Sequence, residues 1–599
     1  MAITDEQVKD IEFLSQPAEL ADGIVQLWTT WKGDRSSWEN EKRELRDYLF
    51  ATDTTKTSNS SLPWKNSTTM PKLSQIRDNL HANYLQALFP HEDWFVWQPA
   101  NKDEADKEKA RRIVAYMKDK LNRSNFRDQV ARLLLDYIDY GNAFAEAGYV
   151  AKLHDSGEDT VSIYHGPVIY RVSPFDIVFN ITANSFQETP KITRSLVTLG
   201  SLQKAADTNP AFHWAKDAVA LGTKLRADLR EYPETDVNKH SGLAVDGFGQ
   251  VTTYLNSGTV ELLEFEGDIY DPISKQMLLG HRIIVMDRKF VVLKEPFKSW
   301  LGTSSKEHVG WRLRPDNLMA MGPLDNLVGM QYRIDHLENL KADVFDQIAH
   351  PIVVKKGYVE DFEFGPGAEV SVGEDADINF LRPDSTALNA EFQIANLMDT
   401  MEEMAGAPKQ AMGIRTPGEK TAFEVSTLEN AASRIFQNKI TWFEQNLLEP
   451  LLNQMLEQAR RNLDVEEAVP VINNEFGVKE FLTITRKDLE SKGKLVPRGA
   501  RHFARKNQLA QNLMGLANSA IYQDPGVQTH ISGLGLAEAI EELLDIDRFE
   551  LVRKNIRVSE AMETQQAQTS AVELQTRELA DANAIADDAA LAAEEEPLA

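Results

Sequence analysis

The residues best spaced to do chemistry lie in Gly413-Ile-Arg-Thr-Pro-Gly418-Glu-Lys-Thr421. A phosphate cradle needs G-x-x-x-x-G-K-[ST] between a strand and a helix. Here Glu419 separates glycine from lysine and would set a carboxylate where phosphate belongs. The residues before the loop also read as helix, so nucleotide binding is not expected. The adjacent acids Glu402 and Glu403 fall on a helix, where neighbours in sequence do not share a face. They are poor material for a two-carboxylate or metal site. No H-E-x-x-H, calcium loop or G-x-S-x-G occurs. The twelve histidines show no ligand spacing, and His336 reads as a surface or packing residue. With no cysteine there is no disulfide, thiolate ligand or thiol nucleophile. The expectation is a protein with no catalytic residue, cofactor or metal.

Charge is the other chemical signal. Over 599 residues the formal net charge is −27, so the surface as a whole repels phosphate. That gives solubility, and it also suits a surface that must let DNA pass without sticking. Against this background Lys409, Arg415 and Lys420 lie in or beside the glycine- and proline-bearing loop Gly406–Gly418. They read as solvated loop charges or as transient phosphate contacts, which carry no sequence information. Residues 486–506 form a second basic stretch, with Arg486, Lys487, Lys492, Lys494, Arg498, Arg501, Arg505 and Lys506 against Asp488 and Glu490. It suits DNA, capsid protein or, favoured slightly, an offset of acidic surroundings across a subunit contact.

The elements that position these residues follow from patterning. Residues 1–50 carry an apolar stripe, Leu20, Ile24, Leu27, Trp28, Trp31, Trp38, Leu45 and Leu49, that predicts helix. A Ser-, Thr- and Asn-rich loop at 51–70 precedes a helix from Lys72 to about Leu88, stopped at Pro90. Helices are expected at Asp103–Asn122 and Asn125–Gly141, the second closing on glycine. From 142 to 315 β-branched runs such as Val161–Tyr164, Val168–Val172, Ile177–Phe179, Val260–Phe265 and His281–Val285 predict strands. Residues 200–232 read as helix broken near Pro210, and 234–258 as a long loop.

From Pro323 a helix is expected to about Ala349, with Leu327, Met330, Ile334, Leu337, Val344 and Ile348 at 3-4 spacing and Lys341 interrupting. A compact β insert follows, from Ile352–Lys356 to Asn379–Leu381, punctuated by glycines. A helix at about Thr386–Ala405 leads to the loop, and a helix from about Glu419 to Asn462 contains Pro450, which should kink it. A strand at Phe481–Thr485 and helices near 499–522 and 535–546 complete the pattern. Residues 581–599 carry six acids and no base, so a fraying or disordered tail is expected. No apolar run approaches the roughly 20 residues a membrane helix needs, and the acidic, polar start does not read as a signal peptide.

The order helix, small β insert, helix, loop, long kinked helix resembles the phage portal proteins, or head-to-tail connectors, and most closely those of short-tailed phages. Local stretches are similar too: His350–Lys355 to Arg382-Pro383, Arg415–Val425, Leu62–Lys72 and Gly493–Phe503. The likeness spans roughly residues 15–550. It implies an α+β, mainly helical subunit of a ring around a central channel. Its regions would be a wing at 1–320, a first stem helix at 321–350, a clip at 351–385 and a second stem helix at 386–405. A tunnel loop at 406–419, a long kinked wing helix at 420–464, a wing return with helical crown at 465–558 and an acidic tail at 559–599 would follow. The resemblance implies a homo-oligomer, typically a dodecamer, at one capsid vertex of the virion, assembled in the host cytoplasm. Double-stranded DNA would pass through it without sequence preference. Terminase and then tail adaptors would dock on it, and capsid and scaffolding proteins would surround it, with no membrane. Lys409, Arg415 and Lys420 would then touch DNA, and Lys355, Lys356, Tyr358, Phe362 and Phe364 of the clip would meet terminase or adaptor. The alternatives are another ring component of the virion neck, such as an adaptor, and an enzyme acting on DNA. Adaptors are usually much shorter, and the broken nucleotide motif and lack of a carboxylate cluster oppose the enzyme.

Overall fold

The structure is a computed structural model that describes residues 18–62, 64–90, 94–100, 104–155, 160–208, 212–231, 259–297, 304–361, 369–381, 389–405, 435–463, 466–473 and 478–499. All of them belong to one compact unit, Met1–Arg501. The expectations for 1–17, for the 234–258 loop, for the tunnel loop and for everything beyond residue 499 lie outside the described residues.

Among the described residues helix and strand are mixed in an α+β arrangement. The main apolar core lies among helices. It is built by α2 (Ser36–Phe50), α3 (Lys72–Leu88), α4 (Glu104–Arg123) and α5 (Phe126–Asp139), which bury Leu45, Leu80, Tyr116 and Leu133 against Phe443 and Leu452 of the long C-terminal helix. Each helix turns one stripe inward at 3-4 spacing, as in Leu73, Ile76, Leu80, Tyr84 and Leu88 of α3. The long helix is helical over 435–443, widens into a π turn at Glu444–Leu448 and continues as α10 (Glu449–Asn462). Pro450 has no N–H to return to residue 446. The π turn just before it, closed by Glu449 N–H to the Glu444 carbonyl, absorbs the mismatch.

Two antiparallel sheets occupy the middle of the chain. The first, in order β3-β2-β9, joins β2 (Asn142–Asp155), β3 (Thr160–Val172) and β9 (Lys306–Gly310). Ala143, Ala145 and Ala147 of β2 face the main core, because small residues let the sheet approach α5 and α10. The second is a five-stranded meander of β4 (Ile177–Phe179), β5 (Lys191–Thr198), β6 (Thr259–Asp271), β7 (Gln276–Met286) and β8 (Phe290–Pro296). Helix α1 (Ala18–Asp34) covers one face through Leu20, Ile24 and Trp28. Helices α6 (Leu199–Thr208) and α7 (Trp214–Glu231) cover the other through Leu202, Trp214 and Leu221. Covered on both faces, β6 and β7 read as runs rather than as alternation, which is why Leu262-Leu263 and Ile283–Met286 are continuously apolar.

The helix expected from Pro323 starts later. A 3₁₀ turn, Asp325–Leu327, comes first, and α8 runs from Val328 to Ala349. The carboxylate of Asp325 takes the Gly322 N–H at 2.8 Å and pairs with the buried Lys42, so the first turn is committed to tertiary contacts. The β insert is a two-stranded hairpin, β12 (Ile352–Lys356) with β13 (Asp377–Leu381), and α9 runs Ala390–Ala405 beside α8.

Candidate oligomerisation surface and ionic joint

The segment ahead of α3 is strapped along α8. Residues Gln331, Asp335, Asn339 and Asp343, four apart, form one side of the helix, and each takes a backbone N–H of the strap. Asp343 accepts from Lys65 and Asn66 at 2.7 and 2.9 Å, Asn339 from Thr68 at 2.8 Å, Asp335 from Met70 at 3.0 Å and Gln331 from Leu73 at 3.2 Å. Lys72 reaches α9 and pairs with Glu402, so Glu402 is buried and neutralised while Glu403 faces solvent. His336 packs against Trp64 with ring centroids 4.9 Å apart, the packing role expected of it.

Beyond the strap, α8 and α9 lose their cover. Ten of the nineteen large apolar side chains left exposed among the described residues fall between 340 and 404, although that stretch is about a ninth of the chain. Phe345 on α8 is 62% exposed and Phe392 on α9 is 74% exposed. In the hairpin Ile352 is 66% exposed, Tyr358 80% and Leu381 58%. Ile352 and Leu381 are cross-strand partners, so they share a face. A lone two-stranded hairpin is marginal in water, and this one shows apolar side chains to solvent rather than burying them. Of the expected clip residues, Lys355 pairs with Asp361 at 2.7 Å, Lys356 is exposed opposite Asp377 and the Tyr358 side chain is exposed while its carbonyl accepts the Gly373 N–H at 3.1 Å. Phe362, Phe364, Lys409, Arg415 and Lys420 lie outside the described residues.

Part of the described basic stretch after residue 485 is engaged within the chain. Lys494 pairs with Glu449 at 2.7 Å and Arg486 with Glu490 at 3.5 Å, while Asp488 takes Arg112 at 2.8 Å. The favoured role across a subunit contact is therefore met in part by neighbours in the same chain.

The sequence gives no sign of a carboxylate cluster, yet the fold builds one. Glu146 of β2 and Glu264 and Glu266 of β6 bring carboxylate oxygens within 4.8 Å of one another. Packing of one sheet on the other, between strands more than a hundred residues apart, creates it, which no local spacing reveals. The fully buried Lys306 ammonium sits among them, 2.7 Å from Glu266, 3.4 Å from Glu264 and 3.7 Å from Glu146. It takes the place a metal ion would need, so the donor set does not suit a metal. Burial alone would push Glu264 up, but Arg282 and Lys306 beside it bring it down to about 2. Burial would lower Lys306, and the three carboxylates hold it above the ordinary lysine value. For Glu146 burial wins, and its carboxyl is raised.

Glu307 faces away from that cluster. It accepts from Gln187 and, at 2.6 Å, from Gln454 of α10. Burial pushes its carboxyl up to about 7, against the Gln187 bond and Lys191. Because the folded value lies above the unfolded one, charging Glu307 costs stability as pH rises from about 4.5 through 7. Glu307→Gln is expected to be neutral at pH 5 and stabilising by roughly 1–2 kcal/mol at pH 8.5, discounted for partial exposure. Melting curves at the two pH values check this, and an equal shift at both would refute it.

Residues 21–152, from α1 through most of β2, match the family model described as bacteriophage head to tail connecting protein. No curated protein matches the chain. The matched stretch holds α2, the strap and α3, which pack on α8, together with α4 and α5 of the main core. No described helix is long and apolar enough to cross a membrane. Over that stretch, about a fifth of its length, the chain is therefore similar to the phage head-to-tail connecting proteins.

Proposed function

We propose that the chain is one subunit of a homo-oligomeric ring, a dodecamer in the assembled particle, at the capsid vertex of the virion. Double-stranded DNA passes through it during packaging and ejection. In this reading α8 and α9 are the stem, the β12–β13 hairpin is the clip, and residues 406–419 are the tunnel loop. The subunit is a conduit rather than an enzyme, assembled in the host cytoplasm among capsid and scaffolding proteins. Terminase, and later the tail adaptors, dock at the clip around Lys355, Lys356, Tyr358, Phe362 and Phe364.

The observation that carries the reading is the apolar exposure concentrated between 340 and 404. Apolar patches left bare on a single subunit mark surfaces that another molecule covers. A ring repeats the same pair of surfaces around a closed axis. Negative-stain images of the purified full chain test it: end-on views should show a ring with a central hole, and solid monomers or dimers would overturn the reading. The conduit role has its own test. Neutralising Lys409, Arg415 and Lys420 together is expected to leave rings intact and to change the amount of DNA packaged or retained, since these would be phosphate contacts. Loss of ring assembly would remove that role from the three residues.

A further inference from the structure

The two sheets meet along an interface of two rows. In the first, Phe144 of β2 stacks on His308 of β9 at 4.5 Å, and Phe179 and Phe186 close on Phe144 at 5.8 and 5.6 Å. One pleat further along the same strands every residue is charged. Glu146 and Lys306 are direct cross-strand partners, and they face Glu264 and Glu266 of β6 and Arg282 of β7. The face of β6 therefore changes character halfway. Val260 and Leu262 lie under α6 and α7, and the next two positions on that face are Glu264 and Glu266.

Buried ions are a poor way to make a joint merely stable, because apolar residues of the same volume do as well or better. What ions give instead is a steep dependence on geometry. An ammonium among three carboxylates is strongly held in the closed arrangement. Once water enters, the attraction falls with both distance and dielectric. The five-stranded sheet also carries its own cores. The clusters under α1 and under α6 and α7 share no buried residue with the main core. It can move as a unit without exposing them.

We propose that Lys306 and its three carboxylates form a latch, which holds the five-stranded sheet against the three-stranded sheet and, when released, lets it swing about the aromatic row. Arg282 and, at the margin, Lys191 and Glu307 complete the charged surroundings of the latch. With Glu146, Glu264 and Glu266 ionised, Lys306 and Arg282 leave a net charge of −1, so removing Lys306 leaves three carboxylates facing a single cation.

Native-state hydrogen exchange on the full chain tests the latch. In Lys306→Met, which keeps the volume and removes the charge, the released sheet loses the support of its neighbour and opens sub-globally more often, so amides of β6 and β7 should exchange at least about tenfold faster while those of α5 and α10 keep their rates. Uniform acceleration, or none, would overturn the proposal. Should that variant fail to fold, Glu266→Gln gives the same readout with the cation kept. A third arm uses Lys306→Ala with millimolar Mn²⁺: carboxylate oxygens within 4.8 Å suit a hard divalent ion. Protection of β6 and β7 should return with Mn²⁺ in this variant and stay unchanged in the native chain. No return would show that a cation does not close the joint.

Discussion

In the proposed ring, a chain carrying Ile352→Ser, Leu381→Ser and Phe392→Ser is expected to keep its fold and lose assembly. Each of these side chains is more than half exposed in the single subunit, so replacing it removes only the smaller part of its contacts from within the chain. Substitutions at such surface positions change stability by about 0.5 kcal/mol or less. In an assembled ring the same side chains would be covered, and burying a large apolar side chain contributes roughly 1.5–3 kcal/mol. Losing half of that at three positions comes to more than about 2 kcal/mol per contact, on the order of a thirtyfold weakening. Because a closed ring repeats the contact around its axis, the loss multiplies and assembly should collapse to monomers. Sedimentation velocity beside a melting curve measures both halves of the claim. Rings of native size at the native concentration would remove these side chains from the interface, and a lowered melting temperature would show that they are packed within their own subunit.

The second large effect concerns the end of α5. Gly141 has φ +71° and lies against Gly322, so that a Cβ there would sit 2.3 Å from the Gly322 nitrogen. Both the left-handed backbone and the close approach of two chain segments demand glycine. Beside it the Asn142 amide donates to the Ala320 carbonyl at 2.8 Å, and its oxygen accepts the Ala320 N–H at 2.9 Å. This junction sets where β11 (Asn317–Met321) hands the chain to α8. Gly141→Ala should cost more than about 3 kcal/mol, since backbone rather than a side chain must give way. Gly23→Ala is the control. That glycine is inside α1 with nothing within 4 Å of an added Cβ, so alanine should stabilise by up to about 1 kcal/mol. Chemical denaturation of the two variants, in parallel, checks the contrast. Equal effects would mean that the junction relaxes freely.

The order of the elements was legible because it rests on local rules. The 3-4 stripe of α3, the break near Pro210 between α6 and α7, the paired runs of β12 and β13 and the glycine after α5 each act over a few residues. The one-turn delay at the start of α8 was not legible. It depends on Asp325 binding Lys42, a residue far away in sequence. The π turn before Pro450 shows the intermediate case, since proline announced an irregularity and packing chose its form.

For the candidate sites the division is sharper. Lys355, Lys356 and Tyr358 could be assigned to the hairpin because hairpins are local. The strap along α8 and the Lys306 cage escaped. Gln331, Asp335, Asn339 and Asp343 look like ordinary polar positions until the 65–73 backbone is laid on them. Glu264 and Glu266 alternate along β6 as solvent-facing acids would, and only the three-stranded sheet packed over them turns that face inward.

The sequence by itself determined most helices and the strand-rich middle of the chain, though not the strands Phe95–Pro99, Glu467–Asn473 and Gly493–Pro497, and it determined the acidic net charge and the broken phosphate loop, since these follow from residues near one another in the chain. Tertiary structure alone decided which polar residues are buried and paired, and which apolar ones are left bare between 340 and 404. Burial is a property of what packs on a residue, and the segments that pack on one another here lie a hundred residues and more apart.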